Sequence, residues 1–332
     1  MLQLLRKIAF PISLVYALVV YVRNFLFDVG IFSSKSYKTP TICVGNLSVG
    51  GTGKTPMTEY LLRILEHRKT AVLSRGYKRR SEGFYLADVE STVLELGDEP
   101  YQIHKKFPDV AVAVDADRRN GIERLEAMVR PEVIVLDDAF QHRKVKPTYA
   151  ILLTTYQNLY ADDWYLPTGN LRDAKKEAKR ADVIIVTKCP ESLDEIEKHK
   201  VVDKLGPKAH QNVLFASLKY QDFVTDGEDD NISLSNLKDK ELALVTGIAS
   251  PKPLVQYLEG AGIGFKHFEF GDHHHFTDRD IEQFKGFELI LTTEKDFVRL
   301  KGRVDKLYYL EIAHSFSATD EKVLKLAIEG LF

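Results

Sequence analysis

Cysteine is scarce in this chain, which has two in 332 residues, Cys43 and Cys189, each in or beside a β-branched run. Two distant thiols offer neither a disulfide framework nor zinc-ligand spacing, and they suit reduced, packed side chains in a cytosolic compartment. An excess of positive charge is also missing. Lys and Arg number 46 against 48 Asp and Glu, a net charge of −2. Without a global basic footprint to track a phosphate backbone, nucleic acid is not expected as a partner. Repeats and low-complexity tracts are absent too, which argues against solenoid and disordered classes. What remains is a 44 % apolar chain long enough to fill two cores of ordinary size.

One hydrophobic run breaks the soluble pattern. Residues 8–22 read IAFPISLVYALVVYV without a charge, flanked by Arg6, Lys7 and Arg23. As a helix this run reaches about 22 Å, short of the ~30 Å hydrocarbon core, and Pro11 argues against a long uninterrupted span. A membrane-docking helix over 1–27, embedded or interfacial, is the favoured reading. A buried core helix and a cleaved signal are the alternatives, but the following VRNFLFD lacks a small-x-small cleavage site.

From Thr41 onward the runs TICV, TAVLS, DVAVAV, EVIVL, TYAILL and DVIIVT alternate with amphipathic segments. That alternation predicts an α/β fold with a doubly wound, mostly parallel sheet, over 28–220. The acidic, Gly-containing stretch 221–240 reads as a linker or hairpin. A second alternation, through ELALVT, FKHFEF, ELILTT and KLYYLEI, predicts a smaller α/β domain over 241–332.

The strand TICVG leads into NLSVGGTGKTP and then into an amphipathic helix, the order a P-loop requires. Residues Ser48, Val49, Gly50, Gly51, Thr52, Gly53, Lys54 and Thr55 form the candidate ATP-binding loop. Glycines let backbone N–H groups close on phosphate oxygens, Lys54 can reach the β- and γ-phosphates, and the Thr55 hydroxyl can ligate Mg²⁺. Ser48 stands where the pattern usually has its first glycine. A tight structural turn is the plainer alternative. The apolar strand ending in Asp137 and Asp138 has the Walker B pattern, which puts carboxylates beside the loop for the Mg²⁺ shell. Neighbouring strand residues face opposite ways, so the two aspartates should have different roles.

Other candidates are ambiguous on their residues alone. Asp98, before Glu99 and Pro100, is either a helix cap or a base that takes a hydroxyl proton. The run His273-His274-His275 suggests a metal site, a proton-relaying histidine or a solvated loop, and consecutive side chains rarely converge on one ion. Arg75, Arg119 and Arg172 lie in basic segments at strand ends, where they are either solvated or clamps for an anionic ligand. In TKCP at 187–190, Pro190 replaces the aspartate that reads guanine in NKxD, favouring ATP over GTP.

Together VGNLSVGGTGKTP (44–56), SRGYKRR (74–80), GDEP (97–100), DADRRNG (115–121), LDDAFQHR (136–143), LPTGNLRD (166–173), TKCP (187–190), GDHHHFT (271–277) and TTEKDFVRL (292–300) resemble the tetraacyldisaccharide 4′-kinases of lipid A biosynthesis. The resemblance implies ATP- and Mg²⁺-dependent phosphorylation of the 4′-hydroxyl of a lipid disaccharide 1-phosphate, on the cytoplasmic face of the bacterial inner membrane. No protein partner is expected. It also aligns Asp98 with the family's proposed base, His273 with the histidine assisting it, and Lys54, Thr55, Asp137 and Asp138 with nucleotide and Mg²⁺ residues. Where the family often has Glu after the arginine of its LRE motif, this chain has Asp173 and then Ala174. Two other classes compete with this reading: a metallochaperone-like P-loop GTPase with a histidine store, and a membrane-tethered ATP-binding switch.

Overall fold

Each β-branched run becomes a buried strand because its side chains are covered on both sheet faces, the usual state of parallel strands with crossover helices. The computed structural model describes Arg6, residues 8–228 and residues 230–332. Lys7 and the first five residues, with the expected helix start at residue 1, lie outside the described residues. The first sheet contains β1 (Thr41–Asn46), β2 (Thr70–Ser74), β3 (Tyr85–Leu86), β4 (Ala111–Val114), β5 (Val133–Asp137), β6 (Tyr149–Thr155), β7 (Val183–Thr187) and β8 (Asn212–Tyr220). The second contains β9 (Phe223–Thr225), β10 (Asn231–Ser233), β11 (Leu242–Thr246), β12 (Lys266–Glu269), β13 (Leu289–Thr293) and β14 (Leu307–Leu310). The last strand, β15 (Ile312–Phe316), returns to the first sheet, whose order is β15-β8-β7-β6-β1-β5-β2-β4-β3. The second sheet runs β10-β9-β14-β13-β11-β12.

The stretch read as one smaller domain, 241–332, therefore divides between the sheets. Residues of KLYYLEI separate at Glu311: Leu310 ends β14, and Ile312 opens β15, which pairs antiparallel with β8. The final helix, Ala318–Glu329, buries Leu324 and Ile328 on the first sheet. The stretch 221–240 contributes the β9–β10 hairpin and buried Leu234 and Leu237 to the second. The chain thus crosses between sheets twice, and the crossings touch, the Gln221 N–H donating to the Glu311 carbonyl at 3.1 Å.

Helix α1 (Phe10–Asp28) begins with Pro11 in its first turn, where the missing N–H costs nothing, so Pro11 opens the helix and does not shorten it. At 19 residues it is about 28 Å long. Its polarity is inverted relative to a core helix. Ser13, Val20 and Asn24 are buried, while Ile12, Val15, Leu18 and Val19 each keep about 60 % of their surface exposed. The inward stripe is fixed by polar contacts: Thr168 Oγ1 accepts from Ser13 Oγ at 2.8 Å, the Tyr16 hydroxyl donates to the Arg172 carbonyl at 3.1 Å, and Asn24 Nδ2 donates to Asp173 Oδ1 at 2.7 Å.

The order of strand addition reverses at β1, whose parallel neighbours are β5 and β6. In an open parallel sheet that switch point leaves a crevice at the carboxyl ends of the strands. Helix α2 (Lys54–Ile64) starts there and buries Met57, Leu61 and Leu62 against the sheet, each fully buried large side chain stabilising by roughly 1.5–3 kcal/mol.

Candidate active site

The phosphate loop is braced from three sides. Asn46 Nδ2 donates to Thr52 Oγ1 at 2.9 Å, and Thr187 Oγ1 donates to the Thr52 carbonyl at 2.8 Å. The third brace comes from β15, where the His314 Nε2–H donates to the Gly53 carbonyl at 2.9 Å. Burial pushes the His314 imidazole down to about 4, so the brace is a neutral ring. Gly53 adopts φ +86°, and a Cβ there would lie 2.9 Å from that ring. Both conditions require glycine. Ser48 turns aside, its hydroxyl donating to Asp163 Oδ2 at 3.0 Å. Val49, Gly50 and Lys54 line a cavity of about 840 Å³, while Thr55 stands half-buried in the first turn of α2.

Asp137 ends β5 and Asp138 follows it, both on the same cavity wall. The two carboxylates face different partners. Asp137 Oδ2 accepts from Ser74 Oγ at 3.0 Å, and its Oδ1 is buried without a partner. Burial, then the negative charges of Glu99 and Asp138, push the Asp137 carboxyl up to about 7. Asp138 has a positive φ of 46° and is held by the Arg172 guanidinium, with Lys54 Nζ at 3.9 Å. Burial alone would raise its pKa, but Lys54 and the Arg172 hydrogen bond outweigh it and hold the carboxyl below the usual range.

Across the cavity, Asp98 opens helix α4 (Asp98–Lys106), which follows the single-turn helix α3 (Val93–Leu96). The kink between them is made by Gly97, at φ +87°, where a Cβ would lie 2.8 Å from the Tyr77 carbonyl. His273 sits after β12 with φ +58°, its N–H bonded to the Gly247 carbonyl at 3.1 Å. These two backbone choices bring His273 Nδ1 to 2.8 Å from Asp98 Oδ2. Tyr77 packs edge-on to the imidazole with centroids 5.6 Å apart. His274 instead binds Asp280 at 3.0 Å, and His275 is exposed. The three histidines diverge, and among the described residues no three His, Cys, Asp or Glu side chains gather as a metal-binding group.

Of the expected arginines, Arg75 and Arg172 line the cavity and Arg119 does not. Arg119 folds back on its own helix cap, Asp117, at 3.1 Å and lines a separate cavity below α1. Its neighbour Arg118 is the one turned inward, donating to the Asp115 carbonyl at 2.9 Å and the Asp137 carbonyl at 3.2 Å. Consecutive helical residues point about 100° apart, so a motif containing both cannot say which faces the site. Tyr16 and Arg23 of α1 also reach the cavity. Lys295 and Arg299, in helix α5 (Glu294–Leu300), were not singled out in the sequence, although their i,i+4 spacing sets both on one helix face. Lys295 Nζ lies 3.0 Å from His273 Nε2, and Arg299 Nε lies 3.8 Å from Asp98 Oδ2.

The family model described as Tetraacyldisaccharide-1-P 4′-kinase matches residues 5–329. The chain belongs to that family. It is 51 % identical over 322 residues to the tetraacyldisaccharide 4′-kinase of Flavobacterium johnsoniae, covering 95 % of this chain and 94 % of that protein. It is also 37 % identical to the protein of the same name from Porphyromonas gingivalis, covering 94 % and 93 %. Among solved structures, LpxK from Aquifex aeolicus in complex with ATP superposes with a TM-score of 0.82 at 31 % identity, over 99 % of both chains.

Proposed function

We propose that this chain transfers the γ-phosphoryl group of ATP to the 4′-hydroxyl of a tetraacyldisaccharide 1-phosphate, working at the cytoplasmic face of the bacterial inner membrane. Family membership supplies the reaction. The observation that carries the site assignment is one cavity walled on one side by Lys54, Asp137 and Asp138 and on the other by Asp98 and His273. A donor phosphate on the glycine loop and an acceptor hydroxyl beside Asp98 would share that space.

In this reading the loop amides and the positive end of α2 hold the phosphates, and Lys54 follows the charge that develops on the transferring group. The paired carboxylates beside Lys54, one with a buried unpartnered oxygen, have the hard oxygen chemistry that suits Mg²⁺, with the Thr55 hydroxyl as a further ligand. Bound Mg²⁺ supplies charge neutralisation on the phosphate oxygens. Arg172 orients Asp138 and closes that wall. Asp98, hydrogen-bonded to His273 and flanked by Arg299, is placed to accept the hydroxyl proton.

Membrane engagement rests on α1. Its exposed apolar face is turned away from the protein that its polar stripe binds. Burying Ile12, Val15, Leu18 and Val19 in lipid would contribute roughly 1–2 kcal/mol each. Because Tyr16 and Arg23 of the same helix line the cavity, a lipid acceptor lying in the bilayer would meet the site at the surface.

Transfer of labelled phosphate from ATP to purified tetraacyldisaccharide 1-phosphate tests the proposal. Lys54→Ala and Thr55→Ala should each lower the rate at least about a hundredfold while the protein stays folded. Near-normal turnover in either folded variant would remove the loop assignment.

A further inference from the structure

The imidazole of His273 is contacted at both nitrogens, and the two contacts demand opposite behaviour. Nδ1 lies 2.8 Å from Asp98 Oδ2, and Nε2 lies 3.0 Å from Lys295 Nζ. A lysine ammonium has three donor hydrogens and no acceptor. Nε2 must therefore offer its lone pair, which leaves the ring proton on Nδ1, donated to Asp98. A doubly protonated ring would set two N–H groups, one on each partner, against each other at 3.0 Å. The carboxylates of Asp272 and Glu99, 3.7 Å and 3.9 Å from the same ammonium, balance its charge.

We propose that Lys295 is a positioning residue that locks His273 as the neutral Nδ1–H tautomer, so that a proton taken from the acceptor hydroxyl stays on Asp98 and does not pass through the imidazole. The inference rests on the reading of Asp98 as the base. In the step, the acceptor O–H bond breaks and its proton goes to Asp98. The acceptor oxygen forms a bond to the γ-phosphorus, and the bond from that phosphorus to the β-bridging oxygen breaks, its electron pair leaving with ADP. His273 Nδ1 already carries a hydrogen and cannot take the proton from Asp98. Nε2 could take one only by displacing Lys295. The imidazole serves as a fixed donor.

The lock is built into the backbone. The Gly247 N–H donates to Asp296 Oδ2 at 2.8 Å, and the Gly247 carbonyl accepts from the His273 N–H. Asp296 also takes the Arg299 guanidinium at 2.7 Å, and Thr293 caps the helix through the Asp296 N–H. Lys295 and His273 thus sit on two segments bound to one glycine, which holds the Nζ–Nε2 distance through packed contacts.

The groups facing this ring are Asp98 and Glu99 from α4, Asp272 beside it, Lys295 and Arg299 from α5, and Tyr77. Nitrogen-15 NMR of histidine-labelled enzyme, with His273→Gln to assign the signal among ten histidines, reads the tautomer directly. His273 should show a protonated Nδ1 and an unprotonated Nε2 near neutral pH. Lys295→Met should gain Nε2–H signal and lose roughly 10- to 100-fold in kcat, the range for outer partners that fix a tautomer. Its KM for ATP should stay within about twofold, since ground-state binding is untouched. Lys295→Arg, still a pure donor, should keep the wild-type signature and recover most of the rate. A wild-type His273 protonated at Nε2 overturns the proposal without recourse to any variant that fails to fold. An unchanged signature and kcat in folded Lys295→Met does so as well. Intact turnover in Asp98→Asn would instead remove the base, whatever the spectrum of His273 shows, so the two failures are distinguishable.

Discussion

The side-chain amide of Asn24, one turn from the C-terminal end of an outwardly apolar helix, donates to the buried carboxylate of Asp173 at 2.7 Å. Asp173 directly follows Arg172, the arginine that clamps Asp138. The contact gives the shorter Asp at this position its task, which is to seat α1 against the loop that carries Arg172. Helix and site are joined by one covalent step.

Removal of residues 1–22 should therefore separate two properties. The truncated chain keeps Asn24, the whole of β1 and the phosphate loop, so ATP binding measured by calorimetry should persist. Sedimentation with phospholipid vesicles should fall sharply, and KM for the lipid acceptor should rise, because the exposed apolar face and Tyr16 are gone. A truncated protein that cannot bind ATP in detergent-free solution would make α1 part of the core.

For the proposed base, Asp98→Asn should slow single-turnover phosphate transfer by roughly 10²–10⁴-fold with ATP affinity little changed. His273→Ala should also be slower. Because the two side chains are one hydrogen-bonded unit, the double variant should be scarcely worse than the worse single one. His275→Ala, altering an exposed neighbour, should turn over normally. Fully multiplicative losses, or an unimpaired His273→Ala enzyme, would leave Asp98 as a helix-starting residue.

The raised Asp137 carboxyl predicts a pH effect on stability in the nucleotide-free, Mg²⁺-free protein. The group holds its proton up to about pH 7 when folded, against an ordinary value of 3.8. Its contribution is complete below pH 3.8 and is lost as pH rises through 7, since the unfolded chain has then shed the proton that the fold prefers to keep. Asp137→Asn should melt higher than the parent at pH 8–9, on the order of 2 °C or more, and the gap should close toward pH 4. Thermal melts across that range check it. Parallel profiles for the two proteins would contradict the assignment.

Local patterns were legible and long-range placement was not. The strand, glycine loop and helix from Thr41 to Ile64 are adjacent in the chain, so their order alone disclosed a phosphate site. Asp98 and His273 are 175 residues apart, and only the resemblance of their motifs to a family paired them. Hydropathy marked residues 8–22 as apolar but could not say that Ser13 and Asn24 face inward. KLYYLEI reads as one strand, yet the fold breaks it at Glu311. That carboxylate is drawn to Lys106 at 2.8 Å and to Arg63, in a buried cluster with Glu59 and Glu294. Tertiary electrostatics of this kind leave no trace in local spacing.

The return of β15 to the first sheet sets an order of assembly during synthesis. Gly53 emerges from the ribosome long before His314, 261 residues later, can brace it. The intervening chain includes the whole second sheet, which must be made before the nucleotide-binding sheet receives its edge strand and the closing helix Ala318–Glu329. A nascent chain arrested between Leu310 and His314 would carry the whole second sheet and a phosphate loop still missing one brace. The glycine loop is thus completed last, and only the final stretch of translation supplies the brace that Gly53 awaits.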